Sequence, residues 1–192
     1  MALIVLVRHG ESEANVKGIL SHSYNIYPLT EHGKEEIRKL AEDFSGVIFD
    51  SFYSSPVLRA RQSAEIISAA IKMEASIDER LRESSMGAYN NSPHFELPKG
   101  GREEKGLESW ASIERRMRNF SEEVSGNVIA VSHQITIRAI IASYLNIGEP
   151  ESYGIDIGRA TISAIDTDRK KVLCVGARRL PERLSNILRE SA

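Results

Sequence analysis

Aliphatic runs and helical stripes alternate along this chain. Ala2–Val7 is a continuous apolar run that stops at Arg8-His9-Gly10; Val47–Tyr53 and Asn127–Ser132 are two more, and Ala75–Ile77 is a shorter one. Short uninterrupted runs of this kind suit strands buried on both faces. Between them apolar residues recur at helical spacing: Ile37, Leu40, Ala41 and Phe44; then Ala60, Ala64, Ile67 and Ile71; then Leu107, Trp110, Ile113, Met117, Phe120 and Val124; then Ile137, Ile140, Ile141 and Leu145. The first of these helices is expected to open near Pro28–Thr30, with Thr30 as its N-cap. The stripe through Trp110 and Met117 reads as core. Late in the chain, ATISAID and KVLCVG flank a polar turn and predict an antiparallel hairpin. Leu184, Ile187 and Leu188 predict a last helix. Strand–helix alternation with aliphatic strands predicts an α/β fold with a mostly parallel central sheet.

One stretch breaks the rhythm. Residues 86–106 are rich in Gly, Pro, Asn and charge, and read as an irregular loop able to cover a site. The length of 192 residues suits a single domain spanning 1–192, with this lid as an insertion. With 25 Lys and Arg against 27 Asp and Glu, the net charge of −2 gives no basic field for nucleic acid. The lone Cys174 excludes an internal disulfide and fits a reducing compartment. The apolar start is too short for a signal-peptide core or a membrane span, so no membrane partner and a cytoplasmic location are expected.

Two of the runs end in histidine: LIVLVRHG and NVIAVSHQ. If these strands lie parallel and adjacent, His9 and His133 emerge at one edge, where α/β sheets bind ligands. FYSSPVLRARQSA carries Arg59 just past another strand, and Glu83 follows a further strand or turn. Two arginines offer a metal no acceptor and would repel it, so no metal is expected; they suit an anion such as phosphate. Asn15 and backbone N–H groups could complete the cradle. Simple binding would not need two histidines. A neutral imidazole is a competent nucleophile toward phosphorus, with the second histidine and the arginines stabilising the transferring group. Glu83 is the candidate acid for the leaving oxygen. Each residue taken alone also fits a structural or solvated role; His22, His32 and His94 are left as surface residues.

These segments resemble the histidine phosphatase superfamily, also called phosphoglycerate mutase-like. Arg8-His9-Gly10-Glu11-Ser12 with Asn15 resembles its signature. Pro28–Gly33, Ser54–Ala64, the LRESSMG stretch around Glu83, ESWASIERRM with Arg116, and VSHQITIRAII with His133 resemble its later motifs in order. The resemblance implies a three-layer α/β sandwich with a partial lid. It implies phosphorylation of His9 and a catalytic set of Arg8, His9, Arg59, Glu83 and His133. The phosphate would be bound by Arg8, Asn15, Ser21, Arg59, His133 and Gln134. Three positions depart from the pattern: Gln134 and His22 replace glycines, as does Leu107 before Glu108-Ser109.

The expected reaction is phosphoryl transfer from a small phosphorylated metabolite through phosphohistidine. Hydrolysis is favoured, because the interval between the acid and the second histidine lacks a long basic insertion. A phosphoglycerate mutase is the alternative; it would need 2,3-bisphosphoglycerate as primer, the only cofactor expected. Lys99, Arg102, Lys105, Arg115 and Arg116 could then meet a substrate carboxylate. A non-catalytic phosphate-binding module is the third reading, and the presence of every catalytic group weighs against it. Monomer and homodimer both stay open.

Overall fold

The computed structural model describes residues 2–94 and 101–190. In chain order the elements are β1 (Ala2–Arg8), α1 (Glu13–Val16), β2 (Ile19–Leu20), α2 (Glu31–Glu42), β3 (Ser51–Ser54), α3 (Leu58–Ile71) and β4 (Ser76–Ile77). There follow β5 (Ser92–Pro93), α4 (Trp110–Glu123), β6 (Gly126–Ser132), α5 (Gln134–Leu145), α6 (Glu149–Ser152), β7 (Ile162–Asp166), β8 (Lys171–Ala177) and α7 (Glu182–Glu190). Six strands form one sheet in the order β4-β3-β6-β1-β7-β8. The first four run parallel; β7 and β8 add an antiparallel hairpin at one edge.

The central strand β1 explains the layering. Successive side chains point to opposite faces, so Leu3, Val5 and Val7 enter one core with Ile37, Leu40, Phe44, Ile67 and Leu188. Ala2, Ile4 and Leu6 enter the other core with Met117, Phe120, Ile137, Ile140 and Ile141. Helices α2, α3 and α7 therefore cover one face and α4 and α5 the other, the expected three-layer sandwich.

Some expectations are corrected. The run Val47–Tyr53 pairs only from Ser51. Asp50 takes the Asn127 N–H on its carboxylate at 2.6 Å and donates its own N–H to the Asn127 carbonyl at 2.7 Å, a side-chain clamp where the ladder would begin. Val47 and Phe49 still reach the core. The helix expected from Leu107 starts at Trp110, capped by Ser109, whose Oγ accepts from the Ser112 N–H at 3.2 Å. Trp110 is only half-buried, so the core stripe is carried by Ile113, Met117 and Phe120. The short α1 had no apolar stripe to announce it. Thr30 caps α2 as expected, accepting from the Gly33 N–H at 3.0 Å.

Two features frame the site. The start of the irregular stretch expected to act as a lid is zipped to the loop after α1: β2 pairs with β5, and the Asn91 and His94 N–H groups donate to the Leu20 and Gly18 carbonyls at 2.7 and 2.8 Å. The C-terminal helix does not cover the mouth. Leu184 and Leu188 pack beside Phe44, and Arg189 reaches the Ser45 carbonyl at 3.0 Å, at the end of α2 remote from the site. Among the described residues no helix is long and apolar enough to cross a membrane.

Candidate active site

The register of β1 with β6 pairs Arg8 with Ser132, so the next residues, His9 and His133, leave the sheet side by side. Their ring centroids are 5.1 Å apart. On the far side of β6, Ser54 pairs with Val131, which brings Ser55 and the first turn of α3 to the same edge. The expected strand-end cluster is therefore real. Gly10 and Gly33 let the turn after β1 lie against the start of α2. A β-carbon at Gly10 would collide with the Gly33 carbonyl, and one at Gly33 with Glu11.

His9 is buried. Its Nδ1 lies 2.7 Å from the Gly10 carbonyl, so Nδ1 carries the proton and Nε2 keeps the lone pair. Arg59 Nε donates to that Nε2 at 3.1 Å. Burial, then the charges of Arg59 and Arg8, hold the ring well below the ordinary imidazole value, hence neutral at pH 7. His133 is fully buried and shifted the same way, by burial and then Arg59. Its Nε2 lies 2.7 Å from Ser55 Oγ, which also accepts the Val57 N–H at 3.2 Å. With Nε2 protonated toward Ser55, Nδ1 turns its lone pair to Arg59 Nη2, 3.3 Å away.

Arg59, buried at 3 % exposure, ties the cluster together. Nη2 also donates to the Ser21 carbonyl at 3.0 Å and lies 3.6 Å from Glu83 Oε2. The same Glu83 oxygen is 3.6 Å from His133 Nδ1. The two residues before Glu83 are anchored by β6 and α5. The Leu81 carbonyl accepts Ser132 Oγ at 2.7 Å, and the Arg82 carbonyl accepts Thr136 Oγ1 at 2.8 Å. Arg8 donates Nη1 to the Ile157 carbonyl at 2.7 Å, and burial, against the pull of Glu83, lowers its pKa to about 10. Among the described residues four buried guanidinium nitrogens have no hydrogen-bond partner, and two of them, Arg8 Nε and Arg59 Nη1, belong to this cluster. Unspent donors of that kind fit an oxyanion, and among the described residues no group of three acidic, histidine or cysteine side chains is set to hold a metal.

Other expected binders are placed differently. Asn15 Oδ1 accepts from the Ser12 N–H and hydroxyl, each at 3.0 Å, capping α1. The Ser21 hydroxyl donates to Asn91 Oδ1 at 2.8 Å, so what Ser21 gives the cluster is its carbonyl. Gln134 is the first residue of α5, where its backbone N–H has no partner within the helix. Of the cations considered for a carboxylate, Lys99 lies outside the described residues and Arg115 is exposed on α4. Arg116 forks onto Glu108 at 3.0 and 3.1 Å, and Arg82 reaches Glu108 at 3.2 Å. Arg102 donates to the Glu108 carbonyl at 2.8 Å and to Ser84 Oγ. Burial raises the Glu108 pKa, but Arg116 and Arg82 outweigh it and hold the carboxylate below its usual value. Sequence reasoning missed Ser55 and the hub role of Glu108. The serine before Pro56 at a strand end was the available signal for Ser55.

The family model for the histidine phosphatase superfamily (branch 1) matches residues 4–178. A 2,3-bisphosphoglycerate-dependent phosphoglycerate mutase of Thermoplasma acidophilum is 34 % identical over 186 residues, covering 92 % of this chain and 93 % of that protein. Phosphoserine phosphatase 1 of Hydrogenobacter thermophilus is 28 % identical, covering 89 % of each. The solved structure of a phosphoserine phosphatase from Entamoeba histolytica, in complex with 3-phosphoglyceric acid, superposes with a TM-score of 0.79 at 22 % identity, covering 96 % of this chain and 100 % of that one. With the strand-end histidines and the arginine cradle, these likenesses make the chain a member of the histidine phosphatase superfamily: an enzyme, phosphatase or phosphoglycerate mutase, that transfers phosphoryl groups through phosphohistidine.

Proposed function

We propose that this enzyme hydrolyses small phosphomonoesters, with His9 as the nucleophile. The observation that carries the assignment is the neutral His9 ring. Its Nε2 lone pair stands beside Arg59, with two unspent guanidinium N–H groups around it. Arg8, Arg59, His133 and the Gln134 backbone N–H would hold the phosphoryl oxygens. His9 Nε2 attacks phosphorus as the P–O bond to the leaving group breaks. Glu83, in its protonated form, gives its proton to the leaving oxygen. Glu83 then takes a proton from water, whose oxygen attacks phosphorus. The P–N bond breaks, inorganic phosphate departs, and the His9 lone pair is restored.

Hydrolysis is favoured over mutation because Glu108 already holds Arg82 and Arg116, cations that a substrate carboxylate would otherwise draw on. The mutase reading has its own support in the 34 % identity to the Thermoplasma acidophilum mutase. In that case 2,3-bisphosphoglycerate would prime His9. Incubation with 3-phosphoglycerate, with and without 2,3-bisphosphoglycerate, separates the two, using His9→Ala as the blank. Free phosphate without 2-phosphoglycerate is expected. Fast isomerisation that depends on the bisphosphate would overturn hydrolysis in favour of the mutase.

A further inference from the structure

His22 is a side chain that the phosphoryl chemistry leaves unused. It follows Ser21, whose carbonyl holds Arg59 Nη2 at 3.0 Å, and its own backbone N–H donates to Asn90 Oδ1 at 3.0 Å. Its ring Nδ1 accepts from the Met86 N–H at 2.9 Å, shortly after Glu83 in the chain. That bond fixes the tautomer: Nδ1 carries the lone pair, so Nε2 carries the proton. The ring is half-buried, and the charged groups acting on it are Glu83, Glu108, Arg59 and Arg82. Burial lowers its pKa against the pull of the two carboxylates, so the ring keeps this neutral form at pH 7. Among the described residues no acceptor meets the Nε2–H.

Neighbouring donors are committed. Arg82 and Arg116 belong to Glu108, Arg102 to Ser84 and the Glu108 carbonyl, and the Ser21 hydroxyl to Asn91. A neutral, orientationally fixed N–H therefore remains beside the Glu83 segment, toward which the leaving oxygen must lie if Glu83 protonates it. A donor pinned through its other nitrogen loses little freedom when it engages an acceptor.

We propose that His22 is a specificity-determining residue whose Nε2–H donates to an oxygen carried by the leaving group. The inference rests on the phosphoryl-transfer reading above and names a substrate class within it. The preferred substrates are phosphomonoesters bearing a hydroxyl or carboxylate close to the ester oxygen, rather than plain alkyl or aryl phosphates.

The test compares kcat/KM on 3-phosphoglycerate, glycerol 1-phosphate and phenyl phosphate for the wild type and His22→Asn. Asparagine can offer Oδ1 to the Met86 N–H much as Nδ1 does, but it has nothing at the Nε2 position. The expected result is a loss of roughly tenfold on an oxygen-bearing substrate, mostly in KM, with phenyl phosphate changed less than about twofold. A loss on 3-phosphoglycerate alone assigns the donor to the carboxylate; a loss on glycerol 1-phosphate assigns it to the hydroxyl. Equal losses on all three substrates, or none on any, overturn the proposal. Failure of the underlying reading looks different: wild type and His9→Ala would be alike on every substrate.

Discussion

The two ends of the site are built by different rules. At the phosphate end, His9 and His133 follow adjacent parallel strands, and Arg59 comes from the first turn of the helix after a third. Their positions are set by sheet register, and a one-residue slip would turn the strands inside out. At the leaving-group end, nothing is paired into the sheet. Glu108 gathers Arg82 and Arg116, Asn90 and Asn91 bind Ser23 and Ser21, and His22 holds Met86. On the proposed reading, the difference gives the reaction to the scaffold and the choice of substrate to a polar network, which can change without moving a strand.

The comparison breaks first at His9. His9→Ala is expected to lower turnover by at least about ten-thousand-fold while the circular dichroism spectrum stays that of the wild type. Robust activity in that variant would remove the nucleophile from the argument. Next comes Glu83→Gln, with a loss on the order of a hundredfold or more for an alkyl phosphate and far less for p-nitrophenyl phosphate, whose leaving group needs no proton. Equal losses on the two substrates would count against Glu83 as the acid. Glu108→Gln probes the other end. It strands the buried Arg116 without its carboxylate and should cost about 3 kcal/mol of stability by urea unfolding, with KM rising more than kcat falls. A change confined to kcat would mean that Glu108 serves the phosphate end instead.

The last effect is graded with pH. His9 and His133 are both held well below the ordinary imidazole value by burial and then Arg59. Below about pH 6.5 the unfolded chain therefore binds more protons than the folded one. Their stabilisation is complete above that pH and declines as the pH falls toward the folded-state values. The limit is about 1.4 kcal/mol per pH unit for each ring. Urea unfolding between about pH 7 and pH 5 should show this slope, and His133→Asn should lessen it by the share of one ring.

These rules also decide what could be read from the sequence. The aliphatic runs ending in Arg8-His9 and Ser132-His133 announced their strands, their burial and their meeting at one edge, because strand periodicity and parallel pairing are local patterns with a single outcome. The strand at Val47–Tyr53 was overextended because the Asp50–Asn127 clamp joins residues 77 positions apart. For the same reason Arg116 looked available to a substrate carboxylate: that Glu108 takes it, together with Arg82, depends on how three separate segments meet. Ser21 was read as a hydroxyl donor to phosphate, but its partner Asn91 lies 70 positions away. Residue type alone leaves His22 a surface ring and the resemblance marks it only as a replaced glycine, because nothing local places Met86 beside it.

Trp110, half-buried at the first turn of α4, follows Glu108 by two positions and is the only tryptophan in the chain. The molecule thus carries its one indole fluorophore in the helix turn that opens two positions after the carboxylate binding Arg82 and Arg116. Emission from an unlabelled sample is expected to follow any rearrangement of this first turn, which Ser109 caps directly after Glu108. Ligand titrations can then be followed by light, even in a variant that turns nothing over.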